Sequence, residues 1–240
     1  KPCNHFLVIW LPSYEWSKKD QNQLELSLKS LAIVFNKKLV NFKWKKIYDE
    51  DWSSSWKKLW KPDPIGKNFL ILPSWLDLPL IYSQRIVVKL DPGSAFGTGS
   101  HPTTRLCLEA LERNPPAGLT IADVGCGSGI IGIAALGFGA KEVKAVDVDS
   151  LAVRATIENT LLNNLTEREL AVSIGSLDVL GKQLIHKKAD FLFCNILAPT
   201  IKELSPGFSA ITSSDSHLFL SGILVDQVDD ITNYLAALDW

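Results

Sequence analysis

Residues 120–129 read TIADVGCGSG, a short apolar run that leads into three closely spaced glycines. The run predicts a buried strand over residues 120–124, and the apolar residues that follow the glycines predict a helix over 130–136. Glycines between a strand and a helix allow the backbone to turn tightly and a ligand to approach the N-terminus of the helix. This segment therefore predicts the start of an α/β unit with a ligand-binding turn.

Outward from this segment, strands and helices alternate from residue 81 to the end of the chain. The predicted strands cover 86–90, 120–124, 143–148, 189–194 and 217–220. The predicted helices cover 103–112, 130–136, 151–163 and 224–238. Such alternation is typical of parallel sheets covered by helices. We therefore predict an α/β fold with a Rossmann-like, doubly wound and mostly parallel sheet.

The residues before this region predict a smaller α/β unit. Apolar runs at 5–12 and 41–48 indicate strands, and a helical period between them indicates a helix over 17–34. An acid-to-base order over 49–60 indicates a connecting helix that the following prolines end. We expect three regions: part of an N-terminal domain at 1–48, a linker with a helix at 49–80, and the main domain at 81–240.

Both ends of the chain suggest a longer protein. The sequence contains no methionine, so we expect it to begin downstream of the true N-terminus. A further pair of strands is expected after Trp240, because a complete domain of this type usually continues beyond the last predicted helix.

Composition excludes several classes of function. The formal net charge of −1 gives no general attraction to nucleic acid or to an anionic membrane. The four cysteines are scattered without CxxC spacing, which argues against zinc and against a disulfide framework, and favours a reducing cytoplasm. No apolar run approaches the roughly 18 residues of a membrane span. Nine lysines lie within residues 37–67. They indicate either a solvated face or a docking surface for a partner that is acidic or bound to nucleic acid.

A second strand end completes the predicted ligand site. The sequence VDVD at 146–149 ends the strand that follows the glycine turn, about twenty residues after it. An acid at this position, Asp147, is placed to bind both hydroxyls of a ribose. The glycine turn and Asp147 together predict a cofactor that contains a nucleoside.

Two cofactors fit this pattern. Residues 127–132 match the dinucleotide motif GxGxxG, and Asp147 lies at the distance expected for NAD. Asp123 favours S-adenosylmethionine, which carries an ammonium and a sulfonium but no phosphate. We expect Asp123 to lie near the mouth of the pocket. Repulsion between its charge and a pyrophosphate at about 4 Å would cost ~1 kcal/mol in water and ~4 kcal/mol at an effective dielectric of 20. A role of Asp123 in capping backbone amides is compatible with either cofactor.

Two further segments are expected at the same edge of the sheet. Residues 91–104 read DPGSAFGTGSHPTT, a glycine-rich lid that ends in two threonines able to cap a helix. The segment lacks the Gly-Lys-Ser/Thr of a phosphate-binding loop, which argues against nucleotide hydrolysis. His101 within it is either a base or a structural residue. Asn195 follows a buried strand and either faces the cleft or starts a turn.

The order and spacing of DPGSAFGTGSHPTT, DVGCGSG, VDVD and NILAP resemble the ribosomal protein L11 methyltransferase family. DEDWSSSW, IGKNFLILPSW and SGIL are also similar to that family, so the resemblance extends from Asp49 to near the end of the chain. It implies S-adenosylmethionine as the cofactor, with contacts at Thr104, Gly125, Asp147 and Asn195. We expect further cofactor contacts at Phe96, Gly97, Asp123 and Gly127.

The resemblance also implies the substrate, a large-subunit ribosomal protein whose α-amino and lysine amines are methylated. It implies that residues 1–48 are the last part of a substrate-recognition domain. We expect Asn195 to orient the amine, no metal, and no required contact with nucleic acid or membrane. An NAD-linked oxidoreductase and a non-catalytic ribosome-binding factor remain as alternatives.

Overall fold

The computed structural model of the chain describes residues 8–12, 14–37, 41–46, 57, 60–91 and 99–240. Contacts divide the chain into two compact units, Lys1–Leu59 and Trp60–Trp240. No helix of the described residues is both long and apolar enough to span a membrane.

The first unit contains helix α1, Lys18–Val34, which confirms the predicted helix. Ser17 caps it: the Asp20 amide donates to Ser17 Oγ, and the Ser17 amide donates to Asp20 Oδ2 at 2.8 Å. Residues 8–12 and 41–46 form no strand, contrary to the prediction for those positions. A strand is stable only with hydrogen-bonded partners, and apolar runs alone do not supply them. Most of the predicted connecting helix lies outside the described residues.

The second unit begins with a three-stranded sheet. Strand β1, Asp63–Ile65, pairs antiparallel with β2, Phe69–Pro73, and β2 pairs parallel with β3, Ile86–Leu90. Every residue of β2 is buried, which explains why this apolar run forms a strand. β1 and β2 fall within 49–80, the predicted linker, and the structure places them in the second unit.

The main sheet has five parallel strands, as predicted for the fold class. They are β4, Thr120–Val124; β5, Glu142–Asp147; β6, Leu170–Ile174; β7, Ala189–Asn195; and β8, Thr212–Ser221. Their order is β6-β5-β4-β7-β8, and every neighbouring pair is parallel. Within this sheet, β6 was not predicted from the sequence, as β1 and β2 of the smaller sheet were not.

Helices connect these strands. They are α2, Pro102–Arg113; α3, Ile130–Gly137; α4, Ser150–Leu162; α5, Leu177–Gln183; α6, Ala198–Leu204; and α7, Val228–Ala236. The predicted final helix at 224–238 is a short 3-10 segment, Val225–Gln227, followed by α7. α5 and α6 were not predicted.

Both faces of the main sheet are buried. Ile121 belongs to one hydrophobic core and its neighbour Ala122 to the other. The same alternation recurs along β7, where Phe193 and Cys194 point into opposite cores. Burial on both faces explains why the strands are almost continuously apolar in sequence.

The strand order places the ligand site. From β4 the chain moves to β5 and β6 on one side, and then crosses to β7 and β8 on the other. In open α/β sheets, ligands bind beyond the carboxyl ends of the strands at the point where the order reverses. That point lies between β4 and β7, at the glycine turn and Asn195.

Candidate active site

The glycine turn after β4 has a backbone that other residues would strain. Gly125, Gly127 and Gly129 have φ angles of 74°, 57° and 78°, in the left-handed region. A Cβ on Gly125 would lie 2.5 Å from the Cγ2 atom of Ile196, and a Cβ on Gly129 would lie 2.8 Å from the Cγ2 atom of Thr156. The glycines therefore form the tight turn that the sequence predicted, and Gly125 and Gly129 also pack closely against neighbouring side chains.

Asp147 lies against this turn at the end of β5. The Gly127 amide donates a hydrogen bond to Asp147 Oδ2 at 2.9 Å, and the Asp149 amide donates to Asp147 Oδ1 at 3.0 Å. The amides of Gly125 and Cys126 both donate to the Val146 carbonyl. These bonds fix the half-buried carboxylate beside the glycine backbone, so the structure brings the two predicted parts of the cofactor site together.

Two side chains of helix α4 hydrogen-bond to the backbone of the glycine turn, and neither contact was predicted from the sequence. Thr156 Oγ1 donates to the Gly127 carbonyl at 3.0 Å, and Asn159 Nδ2 donates to the Ser128 carbonyl at 2.9 Å. Asn159 Oδ1 also accepts a hydrogen bond from the Asp91 amide at 3.0 Å. Asn159 thus joins the glycine turn to the start of the 91–104 segment. The sequence shows only that Thr156 and Asn159 are polar residues within a predicted helix. Their partners are backbone carbonyls, which the sequence does not identify.

Asn195 and Thr104 meet at the other half of the site. Asn195 Nδ2 donates to Thr104 Oγ1 at 3.3 Å, and Thr104 is buried in the first turn of α2. Beside them, Ser221 Oγ at the end of β8 donates to the Thr103 carbonyl at 3.0 Å. The carboxyl ends of β7 and β8 are therefore hydrogen-bonded to the start of α2, and the side chain of Asn195 contacts Thr104.

The cap of α2 differs from the prediction. The residue at the N-cap is His101, whose Nδ1 accepts a hydrogen bond from the Thr103 amide at 3.3 Å, while both threonines lie inside the helix. Pro102 occupies the first helical position, where an amide hydrogen would have no partner within the helix. The residue before it, His101, is therefore the N-cap. This contact favours the structural interpretation of His101 over a role as a base.

Asp123 is completely buried, which corrects the expectation that it lies near the mouth of the pocket. Neither of its carboxylate oxygens accepts a hydrogen bond of ordinary geometry from the residues that the structure describes, so the predicted capping role is not found there. The pKa of Asp123 is raised to about 7, mainly by burial and also by the negative charge of Asp147. A weaker interaction with the Gly132 backbone opposes this rise.

The remaining predicted residues and the cysteines complete the description. Phe96 and Gly97 lie outside the described residues, so their predicted contacts stay predictions. Burial raises the pKa of the Cys107 thiol to about 12, and raises the pKa of Cys126 and Cys194 as well. These thiols stay protonated at neutral pH, which excludes them as thiolate nucleophiles. The described ranges contain no cluster of three or more potential metal ligands.

An apolar cavity of about 430 Å³ lies elsewhere, between β8 and α7. Its lining includes His217, Leu220, Ile223, Ile231 and Trp240. None of the predicted site residues that the structure describes lines this cavity.

The side chains gathered at the carboxyl edge of the main sheet are acidic or neutral. Asp123 and Asp147 flank the glycine turn, and Thr104 and Asn195 lie across from it. The Asp147 carboxylate, together with the buried carboxyl group of Asp123, suits a ligand that carries cationic groups better than a pyrophosphate. The tightly packed glycine turn leaves its backbone, rather than side chains, to line a ligand. The residues present therefore fit a cationic nucleoside cofactor.

Comparison with known proteins agrees with this chemistry. Residues 11–240 match the protein family described as ribosomal protein L11 methyltransferase (PrmA). A ribosomal protein L11 methyltransferase of Prochlorococcus marinus is 63% identical over 234 residues, which are 98% of this chain and 77% of that protein. One of Parasynechococcus marenigrum is 52% identical over 239 residues, covering all of this chain and 83% of that protein.

A solved structure agrees as well. The crystal structure of ribosomal protein L11 methylase from Lactobacillus delbrueckii subsp. bulgaricus matches with a TM-score of 0.65 and 35% identity, over 74% of this chain and 88% of that one. These matches support a methyltransferase and give no support to an NAD-linked oxidoreductase or a non-catalytic binding factor. By its sequence, its fold and the geometry of this edge of the sheet, the chain belongs to the ribosomal protein L11 methyltransferase family.

Proposed function

We propose that the chain transfers methyl groups from S-adenosylmethionine to amines of ribosomal protein L11, both the α-amino group and lysine side chains. The observation that carries this proposal is the contact between Gly127 and Asp147 at the reversal of the strand order. Membership of the family supports the choice of reaction and substrate. The reaction takes place in the cytoplasm and requires no membrane and no direct contact with nucleic acid.

Asp147 binds the ribose in this proposal. Each of its carboxylate oxygens already accepts one hydrogen bond from a backbone amide, and these two bonds fix the orientation of the carboxylate. Each oxygen can accept a second hydrogen bond, so both ribose hydroxyls find an acceptor. The glycine backbone at Gly125 and Gly127 lies beside the same position and accommodates the rest of the nucleoside.

Asn195 orients the amine. Because its Nδ2 donates to Thr104, its Oδ1 carbonyl oxygen is directed away from that contact and can accept a hydrogen bond from the amine. When the amine donates an N–H hydrogen bond to Asn195 Oδ1, its nitrogen lone pair is oriented toward the methyl group. When bound, the cofactor supplies a methyl group that is already activated by the sulfonium, so the protein contributes mainly position and the exclusion of water.

The amine must be neutral to react. An α-amine with a pKa near 8 is partly neutral at pH 7, whereas a lysine near 10.4 needs its pKa lowered by about two, which corresponds to ~3 kcal/mol. Removal from water lowers the pKa of an amine. We therefore expect the site to favour amines that lose their hydration on docking.

Transfer of a labelled methyl group tests the proposal. S-adenosylmethionine with a tritiated methyl group is incubated with isolated ribosomal protein L11 and either the unmodified chain or the Asp147→Asn variant. We expect label in L11 with the unmodified chain and much less with the variant. Asp215→Asn, an exposed substitution near the start of β8, is the matched control and keeps full transfer. No incorporation, with cofactor bound, would leave only a binding role.

A further inference from the structure

Asp123 is a buried carboxyl group without a partner for its charge. It lies in the centre of the main sheet, paired with Ala145 of β5 and Phe193 of β7, and none of its surface is exposed. Neither oxygen accepts a hydrogen bond of ordinary geometry from the described residues, and no ion pair among them includes it. A buried carboxylate of this kind is costly unless it is neutral or meets a cation.

The titratable groups that interact with the charge of Asp123 lie on β5, α2, β7 and the glycine turn. They are Asp147 of β5, Cys107 of α2, Cys194 of β7 and Cys126 of the glycine turn. The charge of Asp147 opposes ionisation of Asp123, and the three thiols are buried and protonated. None of these groups can supply a positive charge, so the protein itself favours the neutral acid.

The strand register places Asp147 close to Asp123, because Asp123 pairs with Ala145, two residues before Asp147 in β5. The negative charge of Asp147 raises the pKa of Asp123 in addition to the effect of burial. A cofactor that carries a net positive charge and binds at the same edge of the sheet acts on Asp123 with the opposite sign. Direct contact between Asp123 and the ligand is not required for this effect.

We propose that Asp123 gives up its proton when S-adenosylmethionine binds beside Asp147, so that binding of the cofactor releases a proton to solvent. The inference rests on the proposed function, because it takes the cationic cofactor as the ligand. The O–H bond of the Asp123 carboxyl group breaks, water or buffer takes the proton, and the resulting carboxylate remains buried, with its charge offset by the positive charge of the bound cofactor. No other bond changes.

The same linkage between proton release and binding distinguishes the cofactor from its product. Transfer of the methyl group turns the sulfonium into a neutral thioether, so S-adenosylhomocysteine carries one positive charge fewer than S-adenosylmethionine. Asp123 then takes a proton back from solvent. The carboxylate therefore favours the methyl donor over the demethylated product, which favours release of the product after each transfer.

Calorimetry in two buffers with different enthalpies of ionisation measures the proton directly. At pH 7, an acid with a pKa near 7 is about half protonated, so binding of S-adenosylmethionine releases roughly half a proton from the unmodified chain. S-adenosylhomocysteine releases less. Asp123→Asn, which keeps the size of the side chain, removes the release, and the matched control Asp215→Asn keeps it.

Infrared difference spectra give a second readout that needs no variant. The carbonyl band of a protonated, buried carboxyl group is lost from the unmodified chain when S-adenosylmethionine is added. Proton release that persists in Asp123→Asn, or an unmodified chain that binds the cofactor with no proton exchange and no loss of this band, overturns the inference. If S-adenosylmethionine gives no binding heat in any buffer, the proposed function fails instead, so the two failures are distinct.

Discussion

Asn195 and Thr104 stand 91 residues apart in the chain and meet through a hydrogen bond of 3.3 Å from Asn195 Nδ2 to Thr104 Oγ1. One residue ends the strand β7 and the other lies in the first turn of α2. The bond selects the orientation of the Asn195 amide, which leaves Oδ1 for the amine. Thr104 is therefore expected to act on methyl transfer through Asn195 as well as by touching the cofactor.

Replacement of Thr104 tests this relationship. Thr104→Val keeps the shape of the side chain but removes the acceptor for Asn195 Nδ2. A hydrogen bond contributes about 0.5–1.5 kcal/mol, so we expect kcat for methyl transfer to fall by up to roughly tenfold. Thr104→Ser retains the hydroxyl and serves as the control, with a smaller loss. Equal kcat values for the valine variant and the unmodified chain would show that Asn195 does not need this bond.

The charge of Asp147 is expected to determine cofactor affinity. Asp147→Asn keeps a carbonyl oxygen but loses the charge and one acceptor, and hydrogen bonds to charged groups contribute about 1.5–3 kcal/mol. We therefore expect the Kd for S-adenosylmethionine to rise by about 10- to 100-fold, measured by equilibrium titration. Asp215→Asn should leave the Kd unchanged. An unchanged Kd in the Asp147 variant would place the ribose elsewhere.

Gly222 holds the loop after Asn195 in place. Its φ is 84°, and a Cβ there would lie 2.3 Å from the carbonyl oxygen of Ile196. Gly118 has a φ of 75° with no atom within 4 Å of such a Cβ, which makes it the matched control. Gly118→Ala should cost only the strain of a left-handed alanine, about 1–2 kcal/mol in the free energy of unfolding.

Gly222→Ala carries the same strain and also displaces the Ile196 backbone. We expect its free energy of unfolding to fall further than that of Gly118→Ala, and methyl transfer to fall because Asn195 precedes the displaced loop. Urea unfolding and a transfer assay on both variants measure this. Indistinguishable variants would mean that the loop adjusts without cost.

Asp123 makes the stability of the fold depend on pH. Its pKa in the folded chain rises from 3.8 to about 7, so the folded state holds the proton more tightly than the unfolded state does. The corresponding stability is present below pH 4 and is lost as the pH rises through 7. The full difference corresponds to about 4 kcal/mol, at about 1.4 kcal/mol for each pKa unit.

Asp123→Asn removes this dependence, because an amide does not titrate. Relative to the unmodified chain, the variant should gain stability between pH 4 and pH 8, by up to about 4 kcal/mol in urea unfolding. A difference between the two chains that stays constant over this range would contradict the assignment of the titration to Asp123.

The sequence predicted the main sheet where apolar runs were long enough to be distinct. Residues 120–124 are fully buried, and the predicted strand matches β4 at both ends. In β6 only Leu170 is buried, Ser173 interrupts the apolar run, and the last residue, Ile174, is exposed, so its pattern is weak. The short helices α5 and α6 have seven residues each, which is too few for a helical period to be recognised.

The candidate site was predictable only in part. The glycine turn and Asp147 follow from local backbone chemistry, since each stands directly after a strand. The supporting contacts of Thr156 and Asn159 are made to backbone carbonyls that only folding brings near. The burial of Asp123 could have been inferred from its place between Ala122 and Val124 in an apolar strand, but the absence of a partner among the described residues required the structure.

Calorimetric titration with S-adenosylmethionine and with NAD tests most directly whether the carboxyl edge of the main sheet is a methyltransferase site. The unmodified chain should bind S-adenosylmethionine with a heat that weakens in Asp147→Asn, and should give no heat with NAD. The opposite pattern, in which NAD binds through Asp147 and S-adenosylmethionine does not bind, would contradict the assignment of the site.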